Sequence, residues 1–307
     1  MRTLLLGANG QLGRTFVEHG GLSGRGELVA ATRDGVLSLG GQGESADLSH
    51  PELLPALLDR VRPDVIVNAA AYTAVDRAEQ EEALATRVNG KAVGVIGHWA
   101  AAHGALIVHY STDYVFDGHQ SLPYAVNAPT APLSAYGRSK LAGEQALRDS
   151  GADHLIFRTA WVYAAHGNNF LRTMLRLGAE RDELRVVADQ HGAPTDTGLI
   201  VSASLAALDH WQDASSAQRK QLVGTHHLVA SGATTWYDFA SAIFTQAVDR
   251  GLLARAPRVL PISTTDYPTP AQRPAWSLLD NGGFQQQFGF PLPDWREGLG
   301  EVIGGLA

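Results

Sequence analysis

The stretch TLLLGANGQLG, residues 3–13, joins a short apolar run to three glycines that are spaced three residues apart. The run predicts a buried strand, and residues 11–20 predict the helix that follows it. Gly7 would permit the tight turn, Gly10 would let a pyrophosphate approach the main chain, and Gly13 would let helix and strand pack closely. The helix N-terminus offers free N–H groups to phosphates, so the loop predicts a dinucleotide site. A tight turn without a ligand is the alternative.

The same alternation of strand and helix continues to about residue 163. Apolar runs predict further strands at 27–33, 64–70, 105–112 and 154–163, and helices are predicted at 51–61, 82–103 and 137–149. The runs are almost continuously apolar, which indicates strands covered on both faces. The predicted fold class is therefore α/β, with a Rossmann-type doubly wound parallel sheet and right-handed crossovers.

The pattern loosens beyond residue 163. A helix (168–184), a strand running into a turn (184–195), another helix (198–211) and a strand (224–230) are predicted there, before a segment richer in Pro, Trp and Phe. We predict an NAD(P)-binding Rossmann domain over residues 1–165, to which 190–230 returns. Residues 166–189 and 231–307 would form a smaller, mostly C-terminal α/β substrate domain. The ligand is expected in the crevice at the strands' carboxyl ends.

Composition excludes several classes of function. The 307 residues carry a net charge of -7 without a basic stripe, so no nucleic acid and no membrane surface are expected as partners. There is no cysteine, which rules out disulfides and thiolate metal sites. No apolar run reaches the roughly 18 residues of a membrane span, and the N-terminal run is too short for a signal peptide. We expect a cytoplasmic protein that acts on a small molecule.

The stretch SAYGRSKLAGEQAL, residues 134–147, predicts a helix capped by Ser134. Tyr136 and Lys140 are four residues apart and would share one face of that helix. An ammonium near a phenol is expected to lower the phenol's pKa from about 10, so that the phenol can give a proton to a carbonyl oxygen. An exposed helical pair is the alternative.

Thr112, at the end of the preceding strand, would hydrogen-bond the substrate oxygen, whereas Ser111 should face the other way.

Residues near other strand ends are candidates for cofactor contacts. The second strand ends in Thr32 and Arg33, where NAD-binding proteins commonly carry an acid, and an arginine there favours the 2′-phosphate of NADPH. Arg33 could equally be a solvated loop residue. Asp47 and Leu48 are plausible neighbours of the adenosine. Small residues after the third strand (Ala69, Ala70 and Ala71) would let a cofactor pass, although tight packing explains them as well.

The motifs VNAAAYTAVDRAE, HYSTDYVFDG, APLSAYGRSKLAGEQAL, FRTAWVYAAHGNNF, DQHGAPT, HLVASGATTWYDFA and YPTPAQRPAWSLLD resemble the dTDP-4-dehydrorhamnose reductase family. That family belongs to the extended short-chain dehydrogenase/reductase superfamily, and the similarity covers residues 1 to about 300. It implies reduction of the 4-keto group of dTDP-4-dehydro-L-rhamnose, the last step of dTDP-L-rhamnose synthesis. NADPH is the implied reductant, and NADH stays possible.

The resemblance also implies roles for residues. Tyr136 would be the proton donor, Lys140 its partner and Thr112 the hydroxyl that tunes the site. Together with the residues taken above from the glycine loop and the strand ends, the predicted cofactor contacts are Gly7, Gly10, Gln11, Leu12, Gly13, Arg33, Asp47, Leu48, Ala69, Ala71, Tyr72, Thr73, Tyr110, Tyr136 and Lys140. The implied substrate contacts are Thr112, Asp113, Trp161, Asn168, Asn169, Phe170 and Arg273. Trp161 could instead be a core residue, Asp113 a turn former, and Arg273 a brace for its loop.

This chain lacks the residues that one feature of the family requires. Some members form dimers through Mg²⁺ bound by glutamates, one of them in the first helix, where this chain has Arg14 and Thr15. No metal is therefore predicted, and the spacing of the histidines does not suggest one. We expect a monomer or a weak homodimer.

Two other functions stay open. An epimerase or dehydratase of the same fold would return its hydride to the sugar and would need further acid–base groups. A non-catalytic NADP-binding regulatory subunit, like one of methionine adenosyltransferase, would be free to lose the tyrosine, lysine or threonine.

Overall fold

The computed structural model describes residues 1–307. Its strands are β1 (Arg2–Leu6), β2 (Glu27–Thr32), β3 (Glu44–Ser45), β4 (Val65–Asn68), β5 (Leu106–Thr112), β6 (His154–Thr159), β7 (Val162–Tyr163), β8 (Glu183–Val187), β9 (His191–Gly192), β10 (Thr195–Asp196), β11 (Gly224–His227), β12 (Thr234–Thr235) and β13 (Arg258–Ile262). Seven of them form one sheet in the order β11-β6-β5-β4-β1-β2-β3, and every pairing in it is parallel. The predicted doubly wound parallel sheet is confirmed.

The helices follow the strands as crossovers or as the second unit. They are α1 (Gln11–His19), α2 (Leu54–Val61), α3 (Val75–Ala78), α4 (Glu82–Thr86), α5 (Ala92–His103), α6 (Ala135–Asp149), α7 (Phe170–Glu180), α8 (Thr197–Asp213), α9 (Ser216–Leu222), α10 (Trp236–Asp249), α11 (Gly282–Phe288) and α12 (Trp295–Gly304). None of these helices combines the length and apolar character that crossing a membrane requires.

The first strand shows why the sheet is covered on both faces. Side chains alternate along a strand: Leu5 packs in the core beneath α1 and α8, whereas Leu4 and Leu6 pack in the core beneath α2 and α5. All three are at most 1% exposed, so neither face of β1 meets solvent. Strand β1 pairs with β2 on one side and β4 on the other, and the strand order reverses there. The crevice at the carboxyl ends of β1 and β4 is therefore the expected ligand site.

The helix predicted for 82–103 is helical throughout, but its middle turn is not α-helical. A π-helical turn over Arg87–Lys91 separates α4 from α5. Helix α6 packs closely against that turn, because a Cβ on Gly143 would lie only 2.0 Å from the carbonyl oxygen of Asn89. The turn directs the side chain of Asn89 at the loop after β4, so the irregularity has a consequence at the site.

The strand predicted for 154–163 is interrupted as well. Strand β6 ends at Thr159, and Trp161 has a φ of 48°. A left-handed residue cannot continue a strand, so the chain turns and residues Val162–Tyr163 pair with β10 instead.

The second unit has its own apolar core. Helices α7, α10 and α12 enclose it with β8, which pairs in parallel with β13. The segment between the two parts of this unit contributes β11 to the main sheet and α8 to the packing on α1. Limits of the two domains at residues 165, 189 and 231 stay a prediction.

Candidate active site

The glycine loop is shaped by close contacts within the chain. Gly7 has a φ of 81°, and a Cβ there would lie 2.7 Å from the Cα of Ala70. A Cβ on Gly13 would lie 2.1 Å from the carbonyl oxygen of Gly7. Both distances are far below van der Waals contact, so glycine is required at both positions by the fold alone. A Cβ on Gly10 would come no nearer than 3.2 Å to any atom of another part of the chain.

Helix α1 begins directly after this loop and offers an anion site. Gly10 is the N-cap and no side chain caps the helix. The first turn carries no acidic residue, and Gln11 and Leu12 are only partly buried. Unsatisfied N–H groups and the helix dipole favour a phosphate at this position.

The loop after β2 is hydrogen-bonded to the glycine loop. The side-chain amide of Asn9 donates to the carbonyl of Val36 at 2.8 Å and accepts from the N–H of Ser38 at 2.8 Å. Asp34 is exposed, and one oxygen of its carboxylate accepts from the N–H of Val36 and the hydroxyl of Thr32, both at 3.1 Å. Arg33 is exposed beside it. Both charged groups are therefore accessible to a ligand, although one carboxylate oxygen of Asp34 is already hydrogen-bonded within the chain.

Asp47 and Leu48 differ in their accessibility. Partial burial opposes ionisation of Asp47, but the hydrogen bonds from Ser49 outweigh it and lower the pKa of the carboxyl. Leu48 is 5% exposed and packs in the core beneath α2 and α5. The side chain of Leu48 is thus committed to the core.

The loop after β4 is held by a residue that the sequence did not reveal. Asn89 accepts from the N–H of Tyr72 at 2.8 Å and donates to its carbonyl at 3.0 Å, while the phenol of Tyr72 donates to Glu81 at 2.6 Å. These contacts fix the main chain between the partly buried Ala71 and the exposed Thr73. The only sequence signal was an asparagine followed by glycine within a helical pattern.

The start of α6 is fixed by two caps. The hydroxyl of Ser134 accepts from the N–H of Gly137 at 3.1 Å, which confirms the predicted N-cap, and Glu79 accepts from the N–H of Ala135 at 2.8 Å. Tyr136 therefore lies in the first turn of the helix, partly buried, with its ring edge-on to Tyr114 at a centroid distance of 5.6 Å. Its phenol does not face bulk solvent.

The two side chains of the predicted pair carry opposite pKa shifts. Burial lowers the pKa of Lys140 to about 8. Burial raises the pKa of Tyr136 to about 12, and the charge of Asp113 adds to the rise. The expectation that Lys140 lowers the pKa of Tyr136 is thus wrong for the ligand-free protein. The reason is geometric, because the ammonium donates to the carbonyl of Tyr110 at 2.6 Å instead of to the phenol.

The side chains of the last two residues of β5 point to opposite faces of the sheet, as predicted. Ser111 points away from the crevice and donates to Glu144 at 2.6 Å. Thr112 points toward Tyr136, whose pKa its hydroxyl acts to lower. Thr112 also donates to one oxygen of Asp113 at 2.9 Å. The hydroxyls of Thr112 and Tyr136 thus come together at the carboxyl end of the sheet.

Asp113 is an unusual carboxyl group. It is 2% exposed, and its Oδ2 atom has no hydrogen-bond partner. Burial raises its pKa to about 6. A buried acceptor without a partner is costly, and it can bind a hydroxyl that a ligand brings.

A cavity of about 690 Å³ opens in the smaller unit. Phe170 and Trp236 form an aromatic part of its wall, and Gln190, Arg185 and Arg273 add polar groups. Such a mixture of apolar wall and few polar groups is typical of small-molecule sites. The cavity is large enough for a base and sugar.

The whole chain matches known proteins. The family described as RmlD substrate binding domain matches residues 1–307. The chain is 46% identical to dTDP-4-dehydrorhamnose reductase of Burkholderia thailandensis, over 99% of this chain and 98% of that protein. The chain belongs to the dTDP-4-dehydrorhamnose reductase family.

Solved structures of this family share the fold. That of the Clostridium acetobutylicum reductase has a TM-score of 0.87 at 34% identity and covers 100% of this chain and 99% of that one. That of the Bacillus anthracis reductase, in complex with NADP, has a TM-score of 0.85 at 32% identity and covers 99% of both chains. The resemblance found in the sequence motifs is confirmed.

Two residues that the family resemblance placed at the ligands make other side-chain contacts. The phenol of Tyr110 points to the face of the sheet that α8 covers, where it donates to Ser204 at 2.8 Å. Its main-chain carbonyl is the part that reaches Lys140. Asn169 caps α7 and donates to Gln11 at 2.7 Å, and Asn168 beside it is exposed. Asn169 therefore holds the glycine loop against α7.

Trp161 is covered on one side. Its indole stacks on Trp236 with 3.5 Å between ring centroids and 5° between planes, and Gly192 leaves room for its edge. Its left-handed main chain ends the predicted strand. The core alternative holds in part, because the ring is partly buried and packs against the apolar cluster around Phe116 and Tyr124. A sugar could use only the uncovered face or edge.

Proposed function

We propose that this chain reduces the 4-keto group of dTDP-4-dehydro-L-rhamnose to give dTDP-L-rhamnose, with NADPH as the reductant. The single observation that carries the proposal is the meeting of Tyr136, Lys140 and Thr112 at the carboxyl end of β5, in a chain that belongs to this reductase family throughout its length. The names of the relatives support the nucleotide-sugar substrate.

The glycine loop fits NADPH. The fold itself explains Gly7 and Gly13, whereas the chain leaves room for a side chain at Gly10. A pyrophosphate on the N-terminus of α1 would supply the missing reason for glycine at that position. The exposed Arg33 would pair with the 2′-phosphate. The neighbouring Asp34 is exposed as well, but one of its carboxylate oxygens already accepts from Thr32 and Val36.

The residues of this chain would handle the proton. Bound NADPH supplies the hydride for the ketone carbon. With its pKa near 12, Tyr136 is protonated at neutral pH and can donate to the ketone oxygen. Thr112 would hydrogen-bond the same oxygen and hold the charge that develops there. Lys140 lies one turn further along α6 and would return a proton to the phenolate.

The substrate would lie between the two units. The free Oδ2 of Asp113 would accept from a sugar hydroxyl, and the uncovered part of Trp161 would border the sugar ring. The cavity lined by Phe170 and Arg273 would hold the nucleotide, with the arginine near the diphosphate.

The test is to incubate the protein with NADPH and dTDP-4-dehydro-L-rhamnose, to follow NADPH absorbance and to identify the sugar product. We expect one NADPH consumed for each dTDP-L-rhamnose formed. Sugar conversion without loss of NADPH would favour the epimerase or dehydratase alternative. Binding of NADPH without turnover would favour the regulatory subunit.

A matched pair of variants tests the proton donor. Tyr136→Phe should lower kcat by about 10²- to 10⁴-fold, with the Kd for NADPH changed by less than about twofold. Tyr114→Phe removes a phenol from the ring that packs edge-on against Tyr136 and should keep most of the activity. If Tyr136→Phe kept most of its rate, another residue would deliver the proton.

Contacts within the chain support the prediction that the protein is a monomer or a weak homodimer. Arg14 pairs with Glu18 at 2.8 Å, and the hydroxyl of Thr15 donates to the carbonyl of Gln11 at 2.9 Å and can accept from the hydroxyl of Thr197 at 2.8 Å. These residues occupy the positions where some family members carry the glutamate for Mg²⁺. Light scattering with and without Mg²⁺ should give the same mass. A mass that doubles with Mg²⁺ would contradict the prediction.

A further inference from the structure

A row of buried polar side chains crosses the sheet beneath Lys140. Asn68 ends β4, and His109 lies opposite it in register on β5. His109 in turn faces Lys140 on α6, with 3.5 Å between Nε2 and Nζ. Asn68, His109 and Lys140 are at most 2% exposed. Polar groups this deeply buried are costly unless their hydrogen bonds are specific.

The hydrogen bonds of Asn68 determine the position of the histidine proton. The N–H of Ala70 donates to Oδ1 of Asn68 at 3.2 Å, which identifies the amide oxygen. The amide nitrogen then faces Nδ1 of His109 at 3.1 Å. Because an amide nitrogen only donates, Nδ1 must accept. A neutral His109 therefore carries its proton on Nε2, the atom directed at Lys140.

This proton affects the charge state of the lysine. An ammonium and an N–H are both donors, so they repel one another, whereas a neutral amine can accept from Nε2–H. The remaining groups around Lys140 are the carbonyl of Tyr110, the phenol of Tyr136 one turn earlier and Glu144 one turn later. Glu144 favours the ammonium, but it is already paired with Arg158 at 2.7 and 2.8 Å.

We propose that Asn68 and His109 are positioning residues of the reductase, which present Nε2–H to Lys140 and so make its ammonium a ready proton donor. This inference rests on the proposed function. After Tyr136 gives its proton to the ketone oxygen, Lys140 loses N–H and the phenolate gains O–H. The neutral amine then accepts from His109 until solvent returns a proton. Burial independently lowers the pKa of His109 well below its ordinary range, and the nearby charges of Lys140 and His154 add to this, so the ring stays neutral.

The first test needs no substrate. Long-range ¹H–¹⁵N spectra of the ¹⁵N-histidine-labelled protein, assigned with His109→Phe, report which ring nitrogen of His109 is protonated. We expect the proton on Nε2 in the wild type. A proton on Nδ1 would overturn the proposal, whatever ketone the enzyme reduces, and this remains decisive even if the Asn68 variant below does not fold.

The second test is a double-mutant cycle on single-turnover oxidation of NADPH from about pH 6 to about pH 10. Asn68→Leu removes the donor to Nδ1 without adding charge, so Nε2 is free to accept from the ammonium. We expect the alkaline limb of the rate to move up by on the order of one pH unit. In a His109→Phe background the same Asn68→Leu substitution should move it by less than about 0.3 units.

The outcomes separate positioning from simple packing. The proposal would be contradicted if the alkaline limb of the rate did not move in Asn68→Leu. It would also be contradicted if Asn68→Leu moved that limb equally with and without His109. NADPH titrations at each pH serve as the control, since both variants should keep the wild-type Kd within about threefold. If the wild-type protein did not reduce this ketone at all, the proposed function would fail. The ¹H–¹⁵N spectra would still show which ring nitrogen of His109 carries the proton.

Discussion

Arg273 holds Asp76 in a two-point ion pair, with Nη to Oδ distances of 3.0 and 2.9 Å. The pair joins the Pro-rich loop after β13 to α3, next to the β4 end of the crevice. Asp76 also accepts from the N–H of Ala271 at 3.2 Å, and the hydrogen bonds from Arg273 keep the pKa of its carboxyl low. The brace that was one alternative for Arg273 therefore exists in the ligand-free protein. It leaves the arginine at the wall of the cavity.

Arg273→Gln tests whether the arginine also binds the substrate. Loss of a charged hydrogen bond to a diphosphate costs about 1.5–3 kcal/mol, so KM for the nucleotide sugar should rise about 10- to 100-fold. The Kd for NADPH should stay unchanged. Asp76→Asn is the matched control, because its amide oxygen can still accept from Ala271 and Arg273, and KM should rise less than about threefold. Equal increases of KM in both variants would show that Arg273 acts only as a brace.

Asp113 gives a second prediction, on the pH dependence of stability. Its folded-state pKa of about 6 lies above the ordinary value of 3.8, so the folded protein binds the proton more tightly than the unfolded chain. The free energy of unfolding should therefore fall as pH rises from about 4 to about 6, by on the order of 2 kcal/mol from this group. Asp113→Asn should remove that decrease. Urea unfolding at about pH 4 and about pH 7 measures it, and an unchanged difference in the variant would contradict the assignment.

The same carboxyl should matter for activity in the opposite direction. If ionised Asp113 accepts from a sugar hydroxyl, kcat/KM should rise with pH through about 6. Asp113→Asn should have a lower kcat/KM without that acid limb. A variant that keeps the limb would assign the titration to another group, and one that keeps the wild-type kcat/KM would remove Asp113 from the substrate contacts.

Glu144 and Arg158 form the ion pair on which the prediction for core stability rests. Glu144 is fully buried and Arg158 nearly so, with Ser111 and Arg148 completing the hydrogen bonds. Breaking a buried pair leaves an uncompensated charge, so Glu144→Gln should lower the free energy of unfolding by about 3 kcal/mol. Glu82→Gln breaks the exposed pair with Arg138 and should cost less than about 1 kcal/mol. Comparable losses in the two variants, measured by urea unfolding, would contradict the prediction.

Local signals in the sequence were sufficient for the sheet and the glycine loop. Continuous apolar runs identify strands covered on both faces, and Ser134 marks the start of α6 because a cap is a contact between near neighbours. The π-helical turn, the left-handed Trp161 and the clamp by Asn89 could not be predicted in this way. Each depends on segments far apart in the chain, such as Asn89 against Gly143 or Trp161 against Trp236.

The site shows the same division between local and distant effects. Strand alternation correctly separates Ser111 from Thr112. The same rule places Tyr110 on the side of Thr112, so alternation alone could not have predicted that its phenol is held by Ser204. The spacing of Tyr136 and Lys140 gives a shared helix face but says nothing of the Tyr110 carbonyl that captures the ammonium. Burial, which only the folded structure shows, decides the directions of both pKa shifts.

The last prediction separates ligand from fold within the glycine loop. A Cβ on Gly13 would lie 2.1 Å from a main-chain oxygen that cannot move without opening the βα turn, so Gly13→Ala should fold poorly. Gly10 has a φ of −70°, which alanine adopts freely, and its nearest contact of 3.2 Å needs a displacement of only a few tenths of an ångström. Gly10→Ala should therefore keep its Tm within about 3 °C, while its new methyl group would occupy the space proposed for the pyrophosphate. We expect the Kd for NADPH, from a fluorescence titration, to rise at least about tenfold. Wild-type affinity in Gly10→Ala would mean that the pyrophosphate does not lie on the N-terminus of α1.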